Sequence, residues 1–341
     1  MKSLMYEQYG NADVLRFKDV AQPPVDKDKV LIRVKAASIN KGDWYLLNGR
    51  PYLVRLSPGG LRRPRNPILG GDIAGVVTAV GSQVTDFQVG DELYGDISDS
   101  GMGGYAEYVA APAHVLAHKP RNLTFGEAAS IPSAAATALQ GIRAAGGITP
   151  AQSVLIVGAS GGVGSFTLQL AKMYGGEVTA VVSNGKIEMA RRLGAAHVID
   201  YTRESFLQHG KQYDLILAVN GNHALRDYQR VLTPSGTCVV IGGGMPQIFK
   251  AMLLGPLLSR KRGQQIVAMG PTKINQADLQ LLAELLEQEK IHPLVERFYP
   301  FSEAITAIRD FGKGRTTGKV VITMDEASQT VSSRAANAAS A

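Results

Sequence analysis

Residues 154–172, VLIVGASGGVGSFTLQLAK, constrain the fold of this chain more than any other stretch. An apolar run enters a glycine-rich turn, and a helical pattern follows. That order builds an anion site from backbone alone. Gly158 permits a tight turn off a strand, Gly161 and Gly162 leave room for a pyrophosphate, and Gly164 lets the helix pack close to a sheet. Ser160 and Val163 complete the turn. The spacing is G-x-x-G-x-x-G rather than G-x-G-x-x-G, so the flanks must support the reading. Residues 177–182, 197–200, 214–219 and 237–241 read as short buried strands, with a helix over 186–193. Strands alternating with helices at this spacing argue for a doubly wound parallel sheet, in which the glycine turn is a dinucleotide site.

A chain of 341 residues has the length for two domains. No apolar run reaches the roughly 20 residues of a membrane span. The first residues show no apolar leader with a cleavage site, so a cytoplasmic protein is expected. The single cysteine, Cys238, excludes an internal disulfide and a multi-cysteine zinc lobe, and its apolar run reads as core. The net charge of +7 suits an anionic cofactor and also permits nucleic-acid or anionic-surface contact. The basic clusters at 260–262 and 62–65 lack interleaved aromatics and read as solvated loops, so nucleic acid is not an expected partner. The Ser/Ala-rich residues 326–341 read as a disordered tail.

The first part of the chain has another texture. Residues 30–36 alternate apolar and charged, and 72–81, 89–94 and 105–110 are short strand-like runs beside glycines. These argue for an irregular antiparallel barrel. Residues 123–129 and 133–145 are helix-like and lead into the glycine turn. Beyond the sheet, 275–290 is an amphipathic helix with Leu279, Leu282, Leu285 and Leu286 on its apolar stripe, 301–311 is another helix, and 318–322 is a closing strand. The expected organisation is a catalytic domain from residues 1–122 and 272–325, with a Rossmann domain, 123–271, inserted in it and a cleft between them.

Seven short motifs in order carry a family resemblance: ASINKGD (37–43), PILGGDIAGVV (67–77), VGDELYG (89–95), GGYAEYV (103–109), IPSAAATA (131–138), RLGAAHVIDY (192–201) and GKVVI (318–322). Together with the glycine turn they make residues 1–323 resemble the medium-chain dehydrogenase/reductases, in the zinc-independent quinone oxidoreductase-like branch. The resemblance implies a GroES-like barrel holding a Rossmann domain, reduction by a nicotinamide cofactor, and a homodimer or homotetramer often paired through the edges of the cofactor sheets.

In zinc members of the superfamily, a Cys and a His-Glu pair supply ligands where this chain resembles them with Asn40 and Gly71-Asp72. An amide and a glycine do not replace thiolate and imidazole, so no metal is expected. The second sheet strand ends Val-Val-Ser183-Asn-Gly-Lys186 without the carboxylate that holds the ribose of NAD. Ser183 and Lys186 offer a donor and a charge to a 2′-phosphate, and Tyr201 resembles a tyrosine near that phosphate in quinone oxidoreductases. NADPH is therefore the expected cofactor, although Lys186 also suits a solvated helix start. Gly242 and Gly243, at a strand end, are expected near the nicotinamide, and Lys319 resembles a family lysine near the cofactor.

Without a metal, hydrogen-bond donors must stabilise the charge that hydride transfer leaves on an acceptor oxygen, and a proton must follow. The spacing of Asn40, Asp43 and Tyr45 matches the quinone oxidoreductase pattern. Asn40 and Tyr45 are the candidate catalytic residues, Asn40 also suiting a loop-fixing role; Asp43 reads as structural, and Tyr52 is a second aromatic for the substrate pocket. Thr137 is a candidate contact for the nicotinamide, with capping or packing as the alternative. The apolar 245–262 segment suits either the pocket wall or a subunit contact. The expected activity is NADPH-dependent reduction of a hydrophobic quinone or α,β-unsaturated carbonyl. Simple aldehyde chemistry, a non-catalytic NADPH sensor or structural protein, and RNA binding are the alternatives.

Overall fold

The computed structural model describes residues 1–56, 60–221, 223–259 and 263–324. The expected tail and the 260–262 cluster lie outside them.

Six parallel strands form one sheet in the order His197–Asp200, Glu177–Val182, Ser153–Val157, Tyr213–Ala218, Leu232–Val240, Gln265–Ala268. The unbroken apolar runs follow from burial on both faces. Val154 and Ile156 join one core with helices Pro132–Ala144 and Gly162–Met173, while Leu155, Val157 and Cys238 join a second core on the opposite face. Burial pushes the Cys238 thiol well above its usual range, as befits a core residue. Phe166 of Gly162–Met173 is fully buried in the first core, and truncating such a side chain to Ala costs about 3–5 kcal/mol.

The barrel is a seven-stranded sheet built from both ends of the chain. Val295–Pro300, Lys319–Thr323, Lys29–Ile39, Asp72–Val80, Glu92–Asp96 and Leu116–His118 lie in that order, and Tyr108–Pro112 pairs with Lys29–Ile39. The closing strand Lys319–Thr323 is antiparallel to Lys29–Ile39. The parallel sheet thus interrupts the barrel in sequence.

Local departures have local causes. The strand expected at 89–94 runs Glu92–Asp96, because Gly90 sits at φ +96° and the Asp91 carboxylate accepts from Gln88 N–H at 2.9 Å, making a turn. The helix expected at 186–193 is Ile187–Arg192, after a 3-10 turn at Asn184–Lys186. Met245–Ser259 is a helix with an inverted face: Gln247, Ala251 and Gly255 are buried, whereas Phe249, Met252, Leu253, Leu254 and Leu257 are exposed. Among the described residues, no helix is long and apolar enough to cross a membrane.

Candidate active site

The order of the parallel sheet reverses between Ser153–Val157 and Tyr213–Ala218, the point where open α/β sheets bind ligands. A cleft of about 620 Å³ opens there, walled by both domains. Gly158 leaves its strand at φ +85°, and a Cβ on it would lie 2.6 Å from Asn220 O. A Cβ on Gly164 would lie 2.1 Å from Gly158 O, so the following helix approaches the turn only because this residue has no side chain. Gly161 is the N-cap of that helix, no side chain caps it, and its Cβ position faces open space. Uncapped N–H groups, a helix dipole and an open approach form an anion cradle. Gly162 does more than expected. A Cβ there would meet Lys319 Cδ at 2.7 Å, so its missing side chain also makes room for a lysine stem.

Gly158, Ser160 and Gly161 share the cleft with Tyr45, Lys186 and Tyr201. Lys41 also lines it, and no carboxylate does among the described residues. Lys186 Nζ donates to Thr316 O at 2.9 Å, and burial lowers its pKa, opposed by the charge of Glu296. Ser183 is the N-cap residue of the turn that carries Lys186; its side chain makes no capping bond, and the residue is half-buried. A backbone anion cradle, two ammonium groups and an absent acid fit a phosphorylated dinucleotide.

Beside the cleft a polar network joins four chain segments. The Asp72 carboxylate accepts from Ser38 Oγ, Asn40 Nδ2 and Lys319 Nζ, each at 2.9 Å on Oδ2, and from Ser133 N–H at 2.9 Å on Oδ1. Lys319 Nζ also donates to Asn40 Oδ1. Both members of the ion pair are buried, with side-chain exposures of 5% and 0%. Asp43 accepts from Asn40 N–H at 2.7 Å and Gly70 N–H at 3.0 Å, tying two loops together. Burial raises the Asp43 carboxyl to about 6, partly offset by those two bonds. Asp96, the cross-strand neighbour of Asp72, is pushed up to about 7, first by burial and then by the charge of Asp72.

The remaining candidates lie as follows. Tyr45 is half-buried in the cleft wall, and its hydroxyl bonds to no other described residue. Tyr52 does not line the cleft: it is 66% exposed, and its ring lies 4.9 Å from the Arg55 guanidinium carbon, which also sits 4.3 Å from the Tyr9 ring. That sandwich turns Tyr52 outward. Thr137 Oγ1 is 2.8 Å from Thr272 Oγ1. Gly242 and Gly243 stand at the same sheet edge, close to Val219 O and Gly221 O respectively, and Val163 packs at the edge of the core. Lys319 reaches the Asn40–Asp72 network rather than the open cleft. Sequence alone missed Lys41, Trp44, Asn220 and His223 in the wall; the N-terminal position of Lys41 in Lys41–Asn48, directly after Asn40, was the available signal.

The residues at the zinc-ligand positions do not fit a zinc ion. They offer an amide and one carboxylate already saturated with donors, and a side chain on Gly71 has no room, since its Cβ would lie 2.0 Å from Ser98 Oγ. Among the described residues, no group of three or more His, Cys, Asp or Glu gathers as a metal cage.

Residues 26–121 match the model of the alcohol dehydrogenase GroES-like domain, and residues 193–322 match that of the zinc-binding dehydrogenases. The chain is 35% identical over 336 residues to 2-methylene-furan-3-one reductase of Solanum lycopersicum, an alignment covering 94% of this chain and 79% of that protein. It is 33% identical over 334 residues to the chloroplastic NADPH-dependent alkenal/one oxidoreductase of Arabidopsis thaliana, with the same coverage. Among solved structures, the quinone oxidoreductase from Coxiella burnetii matches with a TM-score of 0.84 at 28% identity, covering 95% of this chain and 99% of that one.

Proposed function

Because the chain belongs to the quinone oxidoreductase-like branch of the medium-chain dehydrogenase/reductase superfamily, we propose that it is a zinc-independent, NADPH-dependent reductase of quinones or α,β-unsaturated carbonyls. The observation that carries this reading is the donor set, Asn40 and Tyr45, beside a cleft with a backbone anion cradle and, among the described residues, no carboxylate. The names of the two plant relatives point to the same class of acceptor.

The N–H groups at the start of Gly162–Met173 would hold the pyrophosphate, and Lys186 with Ser183 and Tyr201 the 2′-phosphate. When bound, NADPH supplies the hydride. Tyr45 holds a proton on its hydroxyl in the cleft wall, available to the acceptor oxygen. Asn40 has two amide N–H bonds, of which Asp72 takes one. The other is a fixed donor for developing negative charge, the arrangement that lowers a barrier without reorganisation. Two neutral donors suit a conjugated acceptor best, because its charge spreads over the π system.

A homodimer or larger assembly belongs to the same proposal. The outer edge of Gln265–Ala268 ends the parallel sheet, and the helix Met245–Ser259 packs against that strand at Gly255 with its apolar face outward. A second copy would cover both features.

Oxidation of NADPH and of NADH, each with a chelator present, against a quinone, an aliphatic enone and an aldehyde tests the reading. NADPH-preferring turnover of a quinone or enone supports it. Aldehyde-only turnover, or activity abolished by chelator, overturns it.

A further inference from the structure

We propose that the Lys319 ammonium is a built-in cation standing where zinc relatives hold their metal, and that it positions the Asn40 amide for the acceptor oxygen; the second half rests on the reductase reading above. The residues at two metal-ligand positions, Asn40 and Asp72, both turn an oxygen onto Lys319 Nζ. On the other side, Ser98 and Asp96 fill the space into which a side chain at position 71 would project. Nζ therefore takes the place of the ion, and Ser98 takes that of its imidazole ligand.

The charges around this point call for a cation. Asp43, Asp72 and Asp96 are all buried, and the charge of Asp72 raises the cost of ionising the other two. A buried carboxylate is tolerated when paired and fully hydrogen-bonded, and Asp72 is both. The lysine also settles the direction of an amide. Lys319 can only donate and Asp72 accepts, so Asn40 turns its oxygen to Nζ and its nitrogen to the carboxylate. The second amide N–H is then held in one direction, for an acceptor oxygen.

The fold builds a path for this lysine. Gly318 sits at φ +72° with its Cβ position closed by Leu294 O at 2.2 Å. Its N–H donates to Ser160 O at 2.9 Å, and it bridges to Gly161. The lysine stem then crosses the glycine turn at Gly162. The cofactor cradle and the Asn40 amide are thus linked through two consecutive residues, Gly318 and Lys319. Lys319 is a positioning residue: it acts through Asn40.

The test uses the full chain with Lys319→Met, which keeps the stem and loses the charge, Asn40→Ala, Asp72→Asn and the doubles Lys319→Met/Asn40→Ala and Lys319→Met/Asp72→Asn. Melting temperature and NADPH affinity are measured for each. Lys319→Met is expected to lower kcat about 10²–10³-fold, as loss of a fixed donor does. NADPH affinity is expected to stay within about threefold, which separates positioning from cofactor binding. In the Asn40→Ala background the same change should cost no further kcat. Additive losses, or a loss confined to NADPH affinity, would overturn the positioning role. Metal analysis of the parent, purified with zinc in every buffer, should find far less than one equivalent. Stoichiometric zinc that disappears in Asp72→Asn would overturn the built-in cation. Should the parent bind NADPH yet reduce neither acceptor, the reductase reading and the positioning role fail together, and the cation is decided separately: non-additive stability losses in Lys319→Met and Asp72→Asn support it, and additive ones overturn it.

Discussion

Lys186 Nζ donates to Thr316 O at 2.9 Å, so the lysine offered to the cofactor already spans from the parallel sheet to the segment that returns to the barrel. Its ammonium is partly desolvated there, and a bound 2′-phosphate would restore the charged form. Lys186→Ala is expected to lower kcat/KM for NADPH about 10–100-fold, the worth of a charge-assisted hydrogen bond, and to change that for NADH little. Steady-state kinetics with both cofactors checks this. Equal losses for the two would make Lys186 a domain strut only.

Tyr45 separates proton supply from cofactor binding. Tyr45→Phe removes a hydroxyl and leaves the aromatic wall. Its kcat should fall about 10²–10⁴-fold, the range for a lost general acid, with NADPH affinity unchanged. A titration of NADPH fluorescence beside the rate measurement decides it, and an unaltered kcat would reduce Tyr45 to a wall residue.

The carboxyls of Asp96 and Asp43 give a stability profile with a definite sign. Folding raises both pKa values, to about 7 and about 6. Between the ordinary carboxylate range near 4 and those values, the folded chain holds protons that the unfolded chain has released. Stability therefore falls as pH rises through that window and levels off above it. Asp96→Asn keeps an oxygen for Ser98 and removes one titration. Its melting temperature should exceed that of the parent by roughly 2–6 °C at pH 8, and the gap should shrink by pH 5. Calorimetry across that range checks it, and a gap that grows toward acid would reverse the assignment.

Leu253 and Leu257 are 75% and 62% exposed on one face of Met245–Ser259. The double variant Leu253→Glu/Leu257→Glu should remain folded and dissociate the assembly by about tenfold or more in Kd, since burying a carboxylate in an apolar contact is costly. Light scattering after size exclusion reads the outcome. A parent that is already monomeric at high concentration would remove the proposed subunit contact.

The cofactor half of the molecule was legible because its chemistry is backbone chemistry. Gly158, Gly161 and Gly164 sit within seven residues, and their spacing alone encodes the turn, the opening and the close helix. Gly162 has a second role that was not legible, because its missing side chain also makes room for Lys319, a partner far away in sequence. The catalytic network was only half legible. Asn40 is the N-cap of the helix Lys41–Asn48 and Asp43 lies in its first turn, but Asp72 and Lys319 are 247 residues apart, and no local pattern pairs them. Tyr52 was assigned to the pocket by aromatic character alone; the Arg55 side chain that holds it outward depends on Tyr9, from another segment. The helix at Met245–Ser259 escaped recognition because its apolar residues point to solvent, the reverse of the usual stripe.

The position of Lys319–Thr323 has a consequence for how the molecule is made. This strand fills the gap beside Lys29–Ile39, yet it leaves the ribosome long after that neighbour. At translation rates of roughly 5–20 residues per second, the 247 residues that separate Asp72 from Lys319 take about 12–50 s to synthesise. For that interval the nascent barrel carries an open hydrogen-bonding edge and an uncompensated aspartate, while the parallel sheet, complete by residue 268, is able to fold behind it. On emerging, Lys319–Thr323 closes the edge and delivers the counter-charge in one event, so a transcript that stops before residue 319 yields a sticky barrel rather than a weakened enzyme.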